Sequence, residues 1–465
     1  MINFIIDKEN KDNRKILYTI FYITKDYDEE IKVSFKSLDN SVNIYYGIKP
    51  KQSGNIYIPY DISCSDEKKI FFNKYKSKTF MSFKDNIETP FYINDGNVTF
   101  TFDILMLSFY LLSCTEEYEI SKKDSMERFI GEYSYRVEKL DIPFFDVNSH
   151  ILYEAIKYFN EDLTLKKRQF EIFLNHDVDN INSRNRYVLL HNCKQMLLNR
   201  KVPFIINAKT LIFDILYNRH LQIKNYIKIE KQKNAKSEFY FIVGMEHRLG
   251  KRYELSSIKK EIELLIKDPL FDIGLHVNFF SYKDEKKIKD EIVFMENFTN
   301  TKIISGKNHW LRFNVPSTWE VLNNSGILCD STLGYSDING FRASTTKAFI
   351  PYNIDSDAII PIFEVPLVIM DGIIMERQIT FEEKWYSIKK IIDEVILYGG
   401  TSSVLWHQRV IYDNEYKVMY EKILDYVNEK GGKFVLAKDL TARYKKQKEQ
   451  LEQFFQILKA DSEVI

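Results

Sequence analysis

His176-Asp177-Val178-Asp179 closes the apolar run Phe170–Leu174. Phe170, Ile172, Phe173 and Leu174 read as a buried strand. On an extended backbone Asp177 and Asp179 stand two apart and share a face. Two carboxylates pressed together at a strand end repel each other unless something uses them. A metal ion can neutralise one while the other serves as a base. The plain alternative is a helix cap or a solvated loop. Three further clusters bear on the choice. His276 ends the stretch DIGLH, His309 and Arg312 lie in NHWLR, and His407 follows Leu405 and Trp406. In parallel α/β folds, ligand and catalytic groups gather at the carboxyl ends of strands. Carboxylate and imidazole ligands suit Zn²⁺ or a similar divalent ion, with positions left for water and substrate. Such an ion polarises a carbonyl and acidifies water. A carboxylate outside the ligand set can take the water's proton, and a separate histidine can protonate a departing amine. Arg312 can keep the base ionised by pairing with it. The chemistry described is hydrolysis of an amide or ester.

The elements that must position these groups alternate from Phe170 onward. Strands are predicted over Glu238–Val243, Phe271–His276, from Lys302–Ser305, over Ile359–Val368, Ser403–Trp406 and Lys433–Ala437. Helices are predicted over Leu255–Lys267, Lys283–Phe298, Phe381–Leu397 and Asn414–Asn428. Ser317 and Glu320 read as a capping box of one more helix, closed by Gly326. This order implies a parallel α/β barrel or sheet. Residues 1–165 differ: none of the eight histidines precedes His150. Strand-like runs fall at Lys15–Tyr22, Asn55–Pro59 and Val98–Phe102, with an apolar helix near Asp103–Cys114. The expectation is a separately folding accessory domain that carries no catalytic group. Glu116, Glu117 and Arg128 read as structural or solvated polar groups. Residues 166–440 form the catalytic part, and 441–465 a charged amphipathic helix.

Lys and Arg together number 66, as do Asp and Glu, so formal net charge is zero over 465 residues. That removes the electrostatic case for nucleic acid or an anionic membrane as main partner. Cys64, Cys114, Cys193 and Cys329 are scattered with no CxxC pair, as expected of free thiols in a reducing compartment. The start MINFIIDKENKDNRK lacks a signal-peptide pattern, and the apolar stretch Ile104–Cys114 is too short to span a bilayer. The expectation is a soluble cytoplasmic protein with no membrane span; oligomeric state is not specified.

HDVD, GLH, HWLRF, DSTLGY followed by GFR, EVPLVIMD and LWH occur in this order. Together they resemble the polysaccharide deacetylase superfamily, carbohydrate esterase family four, and most nearly its HDVD-bearing bacterial branch with an N-terminal accessory domain. The resemblance covers about residues 168–440. It implies a distorted (β/α) barrel behind an α+β accessory domain. It also implies metal-dependent removal of N-acetyl groups from a polysaccharide, an oligosaccharide or a sugar precursor, with zinc as the expected ion. By the same resemblance Asp177 is the base, Asp179 and His276 are metal ligands, Arg312 orients the base and His407 is the acid. Arg342 of GFR, with Tyr335 and Trp406, is expected to contact substrate, and Tyr335, Phe341 and Trp406 are the sugar platform of the binding-module reading below. The sequence departs from the family pattern twice. Val178 separates the two aspartates, so base and ligand can exchange roles. Phe280 occupies the place of the second metal histidine, so either His309 or Asn278 completes the ligand set. Two other readings stand beside this one. The first is a catalytically degenerate glycan-binding or scaffolding module in polysaccharide assembly. The second is a C–N hydrolase of a small non-sugar amide.

Overall fold

The computed structural model describes residues 1–60, 90–167, 169–182 and 220–458. Cys64 and Cys193 lie outside the described residues; Cys114 and Cys329 are buried free thiols. The described chain builds two main sheets.

The N-terminal sheet has six strands. Their spatial order is Ile31–Ser34, Ile2–Ile5, Val42–Tyr46, Ile56–Ile58, Asn97–Phe100 and Phe91–Asn94. All pairs are parallel except the last, a hairpin. Its turn residues Asp95 and Gly96 have φ of 50° and 73°, the conformation that a tight two-residue turn requires. The run Lys15–Tyr22, expected as a strand, belongs to the helix Asn13–Ile23. Ile16, Leu17, Ile20 and Ile23 recur at helical spacing, and the helix is buried on nearly all sides. β-branched and aromatic residues therefore imitate a strand there.

The second sheet has nine strands, all parallel. From Glu171–Val178 it runs through Ser237–Ile242, Phe271–Val277, Ser305–Asn308 and Cys329–Asp330 to Phe363–Glu364. On its other side Glu171–Val178 pairs with Thr401–Leu405, and that strand with Leu367–Met370. The two ends of this path are halves of one irregular strand, interrupted at Val365 and Pro366. Val365 N–H still reaches the Asp330 carbonyl, and the Pro366 carbonyl accepts from Ser403 N–H. The sheet thus closes on itself as a distorted (β/α) barrel. Lys433–Phe434 pairs with the first two residues of Glu171–Val178. The helix Phe381–Tyr398 is bounded by the Thr380/Glu383 capping box and by left-handed Gly399. The capping box expected at Ser317 does not form. Pro316 precedes that helix, and the Glu320 carboxylate is taken by the Asn353 amide. The C-terminal helix begins at Ala437, before the expected Thr441, and runs to Phe455. Its Gln447 bonds Lys25 and Tyr22 of the first part. Among the described residues, no helix is long and apolar enough to cross a membrane.

Buried ion pairs stitch the first part to the barrel. Glu117 grips Arg342 at 2.7 and 2.8 Å, and Asp146 with Asp26 holds Lys347. The barrel's own Arg342 and Lys347 thus take their counter-charges from residues before 165. Removing one partner of a buried pair strands the other charge, at a cost of about 3–5 kcal/mol. Glu117→Ala should lose that much stability in denaturant unfolding. A loss under about 1 kcal/mol would show that Arg342 finds water or another partner.

Glu238 sits inside the barrel, accepting from Ala437 N–H, Ser305 Oγ and Tyr240 Oη. Burial, with Asp272 adding, pushes its carboxyl from 4.5 up to about 7. A raised folded-state pKa favours folding below the unfolded value and loses that benefit as pH rises through the folded value. Stability should therefore fall between pH 4.5 and about 7, by about 3 kcal/mol for this group. Glu238→Gln mimics the protonated acid. It should raise stability at pH 8 and leave it near the parent's at pH 4. Parallel pH–stability curves for parent and variant would overturn this.

Candidate metal and hydrolytic centre

Strand parity brings the site together. On Glu171–Val178 the side chains of Asn175 and Asp177 enter the barrel and His176 leaves it. His176 is enclosed outside by the Trp406 carbonyl (2.6 Å) and Glu230 (2.7 Å). Asp179 follows on the inner face. His276 arrives from Phe271–Val277 and His309 from the end of Ser305–Asn308. Asp179 Oδ1 lies 3.2 Å from His276 Nε2 and 3.2 Å from His309 Nδ1, and the two nitrogens are 2.8 Å apart. His276 Nδ1 donates to the Lys307 carbonyl at 3.0 Å. That bond fixes the tautomer and leaves the Nε2 lone pair facing the cluster. Three potential ligand atoms therefore converge. A divalent cation fits this donor set, one carboxylate and two imidazoles.

The electrostatics of the three groups differ. Burial would raise the Asp179 carboxyl, but His309, His276 and His407 hold it well below the usual carboxylate range. Burial, the largest influence, takes His309 down to about 4 despite Asp179. For His276, burial is outweighed by Asp177 and Asp179, and its pKa is raised.

Asp177 stands beside the cluster with Oδ2 3.6 Å from His276 Nε2. Its buried Oδ1 has no hydrogen-bond partner. His407, two residues beyond Leu405, approaches from the end of the neighbouring strand, its Nε2 3.7 Å from Asp179 Oδ2. Its Nδ1 bonds Asp371 at 2.7 Å, and its backbone N–H donates to the same carboxylate at 3.0 Å. Burial opposes charge on His407, but Asp371 and then Asp179 and Asp177 raise its pKa to about 9. Asp371 escaped the sequence reading. Its signal was available: it directly follows the apolar strand Leu367–Met370, the same strand-end placement that marked the histidines. A cleft of about 350 Å³ opens over Asp177, Asp179, His309, Asp371 and His407.

Five predicted residues thus meet: Asp177, Asp179, His276, His309 and His407. The others do not, for identifiable reasons. Arg312 does not pair with Asp177. Its guanidinium donates to the carbonyls of Met126 and Phe279 and to Glu127, and stacks between Phe279 and Tyr282. Arg342 is 1% exposed and bound to Glu117 and the Gly334 carbonyl, so it cannot contact substrate. Tyr335 is buried against Phe129 and Leu140, with Arg136 at its hydroxyl, and Phe341 is buried too. Trp406 is fully buried on the outer face, over Tyr420. No sugar platform exists in these three aromatic rings. Asn278 is not a ligand either, since its amide staples Val243, Met245 and Phe280 backbone groups.

Two aromatic rings do border the cleft, Tyr416 and Trp310, the latter 38% exposed. Trp310 and Leu311 both adopt left-handed φ, 63° and 51°. Each such residue costs about 1–3 kcal/mol and clusters at functional sites. Arg128 of the first part holds the Trp310 carbonyl at 3.0 Å and itself lines the cleft.

With the geometry in hand, comparison with known proteins adds the following. A family of unknown function (DUF7033) matches residues 5–161. No curated protein matches. Among solved structures, a Mycobacterium smegmatis protein assigned to the polysaccharide deacetylases is 12% identical, with TM-score 0.42, over 60% of this chain and 92% of its own. The allantoinase PuuE is 12% identical, with TM-score 0.41, over 60% and 90%. A carbohydrate esterase family four pseudoenzyme from Bacillus anthracis is 10% identical, with TM-score 0.31, over 59% and 66%. At these values the functional case rests on the chain's own side chains.

Asp179→Ala, His276→Ala and His309→Ala should each lower affinity for a divalent ion by more than the roughly 10–100-fold that outer partners contribute. Asn278→Ala should retain the ion. Elemental analysis and competitive chelator titration read both. Full occupancy in His309→Ala with loss in Asn278→Ala would reverse the assignment.

Proposed function

We propose that this chain is a metal-dependent hydrolase that removes N-acetyl groups from a carbohydrate. The carrying observation is the convergence of Asp179, His276 and His309 between Asp177, with an unpartnered carboxylate oxygen, and His407, held by Asp371. A divalent ion at the three-residue cluster, zinc by donor type, supplies Lewis acidity to the acyl carbonyl and to water. Asp177 takes the proton of the attacking water, for which its Oδ1 is unengaged. His407 carries a proton on Nε2 toward the cleft and gives it to the departing amine. Asp371 orients that imidazole and stabilises its charged form. The carbohydrate class rests on the ordered motifs of the sequence, since a metal and an acid–base pair do not by themselves select a sugar.

The spacing also bears on which aspartate does what. Asp179 Oδ1 lies within reach of both ligand nitrogens, whereas the nearer Asp177 oxygen is 3.6 Å from one of them. This supports Asp179 as ligand and Asp177 as base. General acid and base groups each contribute about 10²–10⁴-fold. Asp177→Asn and His407→Ala should lower turnover by factors of that order with the ion still bound. Asp371→Asn should fall short of His407→Ala. Acetate release from N-acetylated oligosaccharides and nucleotide sugars is the assay. Unchanged turnover in His407→Ala removes the acid assignment. Absence of acetate from every substrate with metal-loaded parent favours the glycan-binding module instead.

A further inference from the structure

A metal, an acid and a base select an acyl amide, and nothing in that set prefers a sugar to any other acylated amine. An aromatic ring of the cleft can make that choice. Trp310 is the most exposed tryptophan of the chain: Trp319 and Trp406 are fully buried and Trp385 is half-buried. Its indole borders the cleft one residue after the ligand His309, with ring centroids 5.7 Å apart and planes at 61°. A short left-handed turn puts it there. Trp310 has φ 63° and ψ 16°, and Leu311 has φ 51°. The turn buries Leu311 against Leu367 and Leu405 and leaves the indole at the cleft. The strain is held from the first part of the chain. Arg128 Nη1 donates to the Trp310 carbonyl at 3.0 Å, and Asp124 fixes the same guanidinium at 2.9 Å on Nε and 2.7 Å on Nη2. Two residues on, Arg312 Nε donates to the Met126 carbonyl at 3.0 Å. One loop, residues 124–128, therefore grips the chain at Trp310 and again at Arg312. Strained backbone persists only where its surroundings over-determine it, and it gathers at functional positions. Here it presents an apolar ring among the charged side chains of the cleft.

We propose that Trp310 is a platform that selects a pyranose over a ringless acylated amine, and that Arg128 is the positioning residue that presents it. The proposal deepens the deacetylase reading above and rests on it for the reaction. One face of a pyranose carries mainly C–H groups, whose partial positive charge suits the negative face of an indole. In a 2-acetamido sugar the acyl carbon is two bonds from the ring. A sugar laid on an indole beside His309 therefore brings its amide to the ligand cluster. A ringless amine reaches the same cluster with nothing to lay on the indole.

Binding is read without turnover, in full-length metal-loaded protein carrying Asp177→Asn. N-acetylglucosamine, N-acetylgalactosamine and ringless N-ethylacetamide are the probes. At least one sugar should bind about tenfold more tightly than N-ethylacetamide, and should shield tryptophan emission from acrylamide quenching. Trp310→Ala should lower sugar affinity about tenfold and leave that of N-ethylacetamide unchanged. Trp310→Phe keeps a smaller ring, so its sugar affinity should fall between, and the shielding should vanish with the indole. Arg128→Ala should lose most of the shielding, and Arg128→Lys, which keeps one charged donor, should restore part of it. Circular dichroism and elemental analysis check folding and metal content in each variant. Equal affinity for sugars and N-ethylacetamide overturns the platform. Loss of the ion in Trp310→Phe, or an equal loss of affinity for sugar and N-ethylacetamide, overturns it too and makes the indole a brace for His309. Full shielding in Arg128→Ala overturns the positioning role. Kinetics in the metal-loaded parent background separate the two layers. Shielded sugar binding with no acetate from any substrate keeps the platform and overturns the hydrolase. Acetate release from sugars with unchanged kcat/KM in Trp310→Ala keeps the hydrolase and overturns the platform.

Discussion

One amide oxygen organises the barrel beneath the site. Asn175 Oδ1 accepts from Lys307 Nζ at 2.9 Å, Ser331 Oγ at 2.9 Å and Ser403 Oγ at 2.8 Å. Four strands or strand ends are thereby tied to one atom, two residues below Asp177. The bonds are costly to lose, because each donor is buried and would be left unmade. Lys307 serves twice, since its carbonyl also takes the His276 Nδ1 proton. Burial lowers its ammonium below the ordinary value, while Asp177, Asp330 and Glu364 oppose that shift. A polar floor of this kind fixes where Asp177, His276, His309 and His407 emerge, more firmly than an apolar filling of adjustable shape.

The same floor explains what could be read from sequence. Asp177, Asp179, His276, His309 and His407 sit at strand ends, and strand ends of a parallel sheet are recognisable from apolar runs followed by polar groups. Parity then decides which side chain enters. His176 and Asp177 are neighbours with opposite fates, as are Trp406 and His407. Applied strictly, that rule would have withdrawn Trp406 from the sugar platform, because His407 already claimed the inner face. It would equally have promoted Asp371, which follows its strand as His407 follows its own. The barrel was legible for a related reason: alternation of strand and helix is written in local pattern. Strand limits were less so where pairing breaks, as at Pro366, which has no N–H to give.

The arginines were not legible. Arg312 and Arg342 have the residue type and place that suit a catalytic cleft. Their partners, Glu127 and Glu117, stand 185 and 225 residues away in the chain. Nothing local marks such a pairing. Helix Asn13–Ile23 was misread for another reason: its helical repeat of Ile16, Leu17, Ile20 and Ile23 is interleaved with buried Tyr18, Thr19 and Tyr22, residue types that favour strands.

These pairings bear on what the first part of the chain does. Its carboxylates Glu117 and Glu127 take two guanidiniums out of play, and its Arg128 puts one in. Arg128 also grips the carbonyl of Trp310, whose left-handed backbone would otherwise relax. Among the described residues, none of the five convergent side chains comes from the first part, yet Arg128 borders the cleft and holds Trp310. Among the described residues, Arg252 and Arg409 are the guanidiniums of the barrel that border the cleft. The division of labour is electrostatic: carboxylates of the first part pair Arg312 and Arg342, so neither guanidinium meets Asp177.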